Sequence, residues 1–240
     1  MDWGAWEAYR TESRSEREDM TTASGRVAIV TGASRGIGRA TALLLASHGA
    51  RVVTTARSAA LLNELAAAIA RTGGFCLAVP GDASEEHDVD RTIEETIRVF
   101  GRIDILVNNA GIGILGPLKD ASVVDFDRTI AANVRSVFLF SRAVIPRMIA
   151  QGGGAIVNVA SIAGIVAFPK TSLYNASKFA VVGMTRAMDR ELREHNIKVT
   201  AICPAGVETD WAIGTGLTRE QVAGLDRLDP DTVAEAIVYG

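Results

Sequence analysis

From Arg26 onward, short apolar runs rich in β-branched residues alternate with longer stretches whose apolar positions recur at helical spacing. VAIVT (27–31) is the first run and leads into the glycine-rich GASRGIG. RATALLLASHGA (39–50) reads as a helix, RVVTTA (51–56) as a strand, and SAALLNELAAAIARTGG (58–74) as a helix ended by glycine. FCLAVP (75–80) is a third strand. SEEHDVDRTIEETIRVFG (84–101) is a helix with Ser84 expected as its N-cap. RIDILVNNAG (102–111) is a fourth strand, and one long helical region is expected over 122–150, with Pro146 late in it. AIVNVAS (155–161), a helix over 172–194 and the strand IKVTAICP (197–204) follow. PDTVAEAIVYG (230–240) is a last helix, capped by Asp229 with Pro230 at its first position.

Strands that are apolar almost throughout are covered on both faces, which predicts βαβ units and a parallel sheet with right-handed crossovers. About six βα units fall short of the eight a closed barrel needs. No linker or repeat interrupts the pattern, so the expected fold is α/β: a single-domain doubly wound parallel sheet over 25–240. Residues 1–24 alternate acids and bases and offer little to bury, so they are expected to form a flexible N-terminal arm.

Composition narrows the function classes. Of 240 residues, 48% are hydrophobic and 22% charged, an ordinary globular balance. The net charge of −3 leaves no basic surplus for phosphate neutralisation, so no nucleic-acid partner is expected. No apolar run reaches the ~18 residues of a membrane span. The two cysteines, Cys76 and Cys203, lie in apolar runs and read as buried and reduced, which fits a cytoplasmic setting. His48, His87 and His195 are scattered on helices, so no metal site is expected.

The candidate chemistry begins at Gly32, Ser34, Arg35, Gly36, Ile37 and Gly38, between the first strand and the first helix. Glycine there lets a pyrophosphate approach the backbone, and a helix N-terminus offers it free N–H groups. No Gly-Lys-Ser/Thr follows, which disfavours a loop for ATP or GTP phosphoryl transfer. Tyr174 and Lys178 are four apart and share one helix face. An ammonium beside a phenol is expected to lower its pKa from ~10 and make it a usable acid or base.

The spacing Gly-x-x-x-Gly-x-Gly resembles the short-chain dehydrogenase/reductase family, and further motifs follow in the family's order. Asn108-Asn109-Ala110-Gly111 matches its NNAG, Tyr174-Asn175-Ala176-Ser177-Lys178 its Tyr-x-x-x-Lys, and Ser161 precedes Tyr174 by the usual gap. Pro204-Ala205-Gly206-Val207-Glu208-Thr209 resembles the Pro-Gly segment, with Ala205 inserted before the glycine. The resemblance implies a catalytic set of Asn133, Ser161, Tyr174 and Lys178. Tyr174 would be the general acid or base, Ser161 would orient the substrate oxygen, and Asn133 would hold a relay water. It also implies cofactor contacts from Asp82, Ala83, Asn109, Ala110, Gly111, Lys178, Pro204, Gly206, Val207 and Thr209. Family members using NAD usually carry an acid at the end of the second strand, where this chain has Ala56 followed by Arg57. Arg57 and Arg35 suit a 2′-phosphate, so NADP(H) is expected over NAD(H). The implied function is an oxidoreductase moving a hydride between nicotinamide and a carbonyl or secondary alcohol of a small molecule. The alternative is a non-catalytic nucleotide-binding regulator on the same fold. The resemblance further implies a homodimer or homotetramer, and a seventh strand after the last helix that this sequence does not show.

Overall fold

The computed structural model describes residues 23–208 and 227–239. The expected N-terminal arm therefore lies, but for Ala23 and Ser24, outside the described residues. Six strands form one sheet, β1 (Val27–Thr31), β2 (Arg51–Thr55), β3 (Phe75–Ala78), β4 (Ile105–Asn108), β5 (Gly154–Val159) and β6 (Ile197–Ile202). Their order is β3-β2-β1-β4-β5-β6 and every pairing is parallel. The chain winds outward from β1 in one direction and from β4 in the other. The carboxyl ends of these two neighbours open the crevice where such sheets bind ligands.

Alternate residues of each strand feed opposite faces. Ala28, Val30, Val52 and Val107 pack with α1 (Gly36–Ser47), α2 (Ala59–Arg71) and α7 (Pro230–Tyr239) through Leu45, Leu62, Leu65, Ile69, Val233 and Ile237. Val27, Ile29, Val53 and Leu106 pack with α3 (Glu86–Phe100) and α5 (Ser136–Gln151) through Val89, Ile93, Phe140, Val144 and Met148. The 21-residue α6 (Ser172–Leu192) crosses beside β6 and buries Leu173, Val181 and Val182. Among the described residues no helix is long and apolar enough to cross a membrane.

Three local expectations change. The region 122–150 is not one α-helix: α4 (Val123–Ile130) passes through a π turn, Ala131–Arg135, into α5. Ser84 is not the N-cap of α3. Glu85 occupies that place, because the Ser84 N–H and hydroxyl both go to Asp82 Oδ1, at 2.9 and 2.7 Å. Cys76 and Cys203 are half-buried rather than enclosed, and both are free thiols.

Candidate active site

The glycine loop is built against the end of β4. Thr31 Oγ1 accepts the N–H groups of Asn109 and Ala110, at 2.9 and 3.0 Å. Asn109 Nδ2 donates to the carbonyls of Thr31 and Gly32, at 2.9 and 3.2 Å. A Cβ on Gly32, whose φ is +64°, would lie 2.9 Å from Ala110 Cα. One on Gly38 would run into Asn109 Nδ2 and come 2.6 Å from the Gly32 oxygen. Gly32 and Gly38 are thus required by the protein's own packing, while the loop passes Ser34, Arg35, Gly36 and Ile37 into the N-terminus of α1. No side chain caps that terminus and no acid stands in its first turn. Its N–H groups and positive dipole end suit an anion.

Ala33 N–H donates to Thr55 O at 3.3 Å, tying the loop to the end of β2. Arg35 and Arg57 are both exposed, and neither forms an ion pair among the described residues. Ala56 O accepts from Gly81 N–H at 3.0 Å, which brings the end of β2 beside Asp82 and the half-buried Ala83. Asp82 N–H donates to Asp88 Oδ2 at 2.8 Å, so a carboxylate of α3 fixes this turn. That contact also contributes most to holding the Asp88 carboxyl below its ordinary range. This donor set and the tight glycine loop fit a dinucleotide. Among the described residues no cluster of His, Cys, Asp or Glu is placed to hold a metal ion.

The second half of the site gathers around α6. Ser161 follows β5, its Oγ accepts from Ala163 N–H at 3.1 Å, and its side chain is close enough to Tyr174 to pull the phenol's pKa downwards. Lys178 is buried and its Nζ donates to Val159 O at 2.9 Å, while lying 5.8 Å from the centre of the Tyr174 ring. A Cβ on Gly111 would come 3.7 Å from that Nζ and 3.0 Å from Asn133 Oδ1, so Gly111 closes the gap between the two halves. Asn133 sits in the π turn, 1% exposed. Its Oδ1 accepts from Ile112 N–H at 2.7 Å, and its Nδ2 donates to Ile112 O and Ser177 Oγ, both at 2.9 Å. The side chain braces the 112 segment to α6. The four expected catalytic residues therefore stand together at the carboxyl ends of β4 and β5.

The expected lowering of the Tyr174 pKa is overturned. Burial pushes the phenol up to about 12, against a smaller downward pull from Ser161. Burial also pushes the Lys178 ammonium down to about 8, with the nearby Cys203 acting the other way. Desolvation penalises each charged form more than the two groups can offset, and Lys178 is turned to a backbone carbonyl.

Two buried asparagines escaped the sequence reading. Asn158, in mid-β5, accepts from Asn108 Nδ2 and donates to Thr185 Oγ1, both at 2.9 Å. Asn108 also reaches Ser141 Oγ at 3.2 Å, so one network joins β4, β5, α5 and α6. The signal was a polar residue inside an otherwise apolar strand. Asn175 gave no such signal, since the surface of a helix tolerates asparagine.

Beyond β6, Pro204 O accepts from Ile162 N–H at 2.9 Å, which sets this segment beside Ser161. Gly206, Val207 and Glu208 pair with Leu228: Leu228 N–H donates to Gly206 O and Glu208 N–H to Leu228 O, each at 2.9 Å. Thr209 lies outside the described residues.

An open doubly wound sheet with this glycine loop at its switch point defines a dinucleotide-binding protein. A family model for short chain dehydrogenases matches residues 26–219. The 2-(R)-hydroxypropyl-CoM dehydrogenase of Xanthobacter autotrophicus is 42% identical over 89% of this chain and 90% of its own. The crystal structure of a 3-ketoacyl-(acyl-carrier-protein) reductase from Brucella melitensis complexed with NADH superposes with a TM-score of 0.83. It is 36% identical, over 90% of this chain and 91% of that one. A metagenomic short-chain oxidoreductase in complex with NADP superposes with a TM-score of 0.79, at 34% identity over 91% of each chain. The chain belongs to the short-chain dehydrogenase/reductase family, and with it to the nicotinamide-dependent oxidoreductases.

Proposed function

We propose that this protein is an NADP(H)-dependent oxidoreductase acting on a carbonyl or secondary alcohol, with Tyr174 as its general acid or base. The observation that carries the reading is the convergence of Ser161, Tyr174, Lys178 and Asn133 beside a glycine loop flanked by two unpaired arginines. The bound nicotinamide supplies or accepts the hydride. The Ser161 and Tyr174 hydroxyls hold the substrate oxygen between them. In reduction Tyr174 gives its proton to that oxygen as the hydride arrives at carbon. Lys178 bonds the nicotinamide ribose and restores the proton. A water for that relay is held at Asn133, whose Nδ2 hydrogens are both engaged and whose Oδ1 keeps a lone pair. Pro204, Gly206, Val207 and Thr209 contact the nicotinamide end, and Asp82, Ala83, Asn109, Ala110 and Gly111 line the adenosine and ribose path.

The absence of an acid at Ala56, with exposed Arg35 and Arg57 at hand, supports the 2′-phosphate preference. The test is NADPH against NADH oxidation with a panel of ketones, in the wild type and in Arg57→Ala. One charged hydrogen bond is worth ~1.5–3 kcal/mol, so the variant is expected to lose about 10- to 100-fold for NADPH and little for NADH. Equal losses for the two cofactors would remove Arg57 from phosphate recognition. A wild type that consumes neither cofactor with any ketone would favour the regulator reading.

A further inference from the structure

Asn175 stands between Tyr174 and Lys178 on α6, and its buried side chain is spent entirely on the loop that leads from Ser161 back to Tyr174. Nδ2 donates to Ala163 O at 2.6 Å and to Val166 O at 2.8 Å. Oδ1 accepts from Phe168 N–H at 3.4 Å and from the Thr171 hydroxyl. A primary amide has two donor hydrogens and two acceptor lone pairs, so its capacity is filled. Among the described residues, the other hydrogen bonds of 163–168 are local, running to Ser161, Ile162 and Thr171.

Among the described residues, close packing at one glycine and one bond from across the site add to this clamp. Gly164 lies flush on α6, where a Cβ would come 2.8 Å from Lys178 O and 3.0 Å from Val182 Cγ2. The opposite wall of the site joins the same loop through Gly116 N–H to Lys170 O at 2.7 Å. The loop's own side chains Ile165, Val166 and Phe168 are 53%, 46% and 44% exposed, so the segment that joins Ser161 to Tyr174 presents apolar surface.

We infer that Asn175 is a positioning residue for substrate: by clamping 163–168 to α6 it fixes this apolar wall and sets which substrates reach Ser161 and Tyr174, without touching them. This rests on the oxidoreductase reading. A substrate long enough to lie along Ile165, Val166 and Phe168 depends on the clamp, whereas a small ketone held at the hydroxyl pair does not.

The experiment compares the wild type with Asn175→Ala, and with Asn175→Ser should alanine fail to fold. The probes are a small methyl ketone and a 3-oxoacyl thioester with a long alkyl chain, each reduced with NADPH. The long substrate should lose about tenfold or more in kcat/KM relative to the small one, chiefly through KM. NADPH affinity and the pH profile should stay unchanged. A merely structural role would lower melting temperature and reduce both substrates by one factor, and that result, or no loss at all, overturns the inference. Amide hydrogen exchange of substrate-free protein supplies a second reading, with faster exchange expected at 163–168 in the variant. Unchanged exchange there overturns the clamp whatever the activity. Failure of the wild type on both ketones would instead strike the oxidoreductase reading, and exchange would still decide whether Asn175 fixes the loop.

Discussion

A phenol and an ammonium four residues apart help each other only as far as their surroundings let each be charged. Tyr174 pushed up to about 12 is a protonated phenol at neutral pH, ready to donate in the direction of reduction. Tyr174→Phe keeps the ring and removes that proton. Turnover is expected to fall by about 10²-fold or more with NADPH binding near normal, and steady-state kinetics beside a cofactor titration checks both. Lys178, pushed down to about 8, sits near its titration point in the cofactor-free protein. As a base with a lowered pKa it is charged below about 8 and neutral above. Any cofactor affinity that draws on its ammonium must therefore weaken as pH rises through that value. The NADPH dissociation constant should climb between about pH 7 and pH 9 in the wild type and stay flat in Lys178→Met. Parallel pH curves for the two would show that Lys178 does not titrate in the binding step. The identities of these residues were legible in the sequence because Tyr174 and Lys178 share a helix face and stand in the family's order with the glycine loop, Asn133 and Ser161. Their ionisation was not, because it depends on burial that only the folded packing around α6 supplies.

At the scale of elements, six apolar runs and their intervening helices could be read directly, since a strand covered on both faces leaves no other pattern. The π turn could not. Residues 122–150 carry uninterrupted helical periodicity, and nothing in AANVR announces an extra residue in the turn; what holds it is Asn133 bonded to Ile112 and Ser177 across the site. Such turns occur often where a helix must place a functional group. The glycines were read as room for a ligand. The packing gives Gly38 a second task, since its Cα faces Asn109 and the Gly32 carbonyl. Gly38→Ala has no free space to enter, and overpacking of this kind costs ~1–3 kcal/mol. The strain falls on the strut between the loop and β4. The variant should remain folded by circular dichroism, melt a few degrees lower, and bind NADPH at least about tenfold more weakly. Unchanged binding would mean that the loop geometry tolerates displacement of Asn109.

The whole molecule leaves one question that its sheet cannot answer, namely what covers the outer side of α4, α5 and α6. Val123, Val124 and Phe126 of α4 are exposed, as are Phe138 and Ile149 of α5 and Phe179 of α6. From the end of the π turn along α5 the exposed Arg135, Phe138, Arg142, Pro146 and Ile149 recur at helical spacing, and on α6 Ala176, Phe179, Gly183 and Arg186 do the same. Gly183 lies on that second stripe with nothing within 4 Å of where its Cβ would be, so a neighbouring backbone has room to approach. Scattered single apolar residues are normal on a surface; we propose that the exposed Phe138, Ile149 and Phe179 on these adjacent helices meet another chain. The part of the α5 stripe around Phe138 is partly satisfied within the chain, because Arg142 lies over the Phe138 ring and also pairs with Glu86 of α3. Among the described residues no cation lies over the Phe179 ring, which is 46% exposed. A homodimer or homotetramer built through these helices is the expected state, with α6 at its centre. Sedimentation at micromolar concentration should give a species of two or four chains. Phe179→Asp places an unpaired charge on the apolar stripe without disturbing the Ser161–Tyr174 side of the helix, and it should shift the population towards the monomer. A wild type that sediments as a monomer, or a Phe179→Asp variant that assembles as tightly as the wild type, would send the search for the contact to another face.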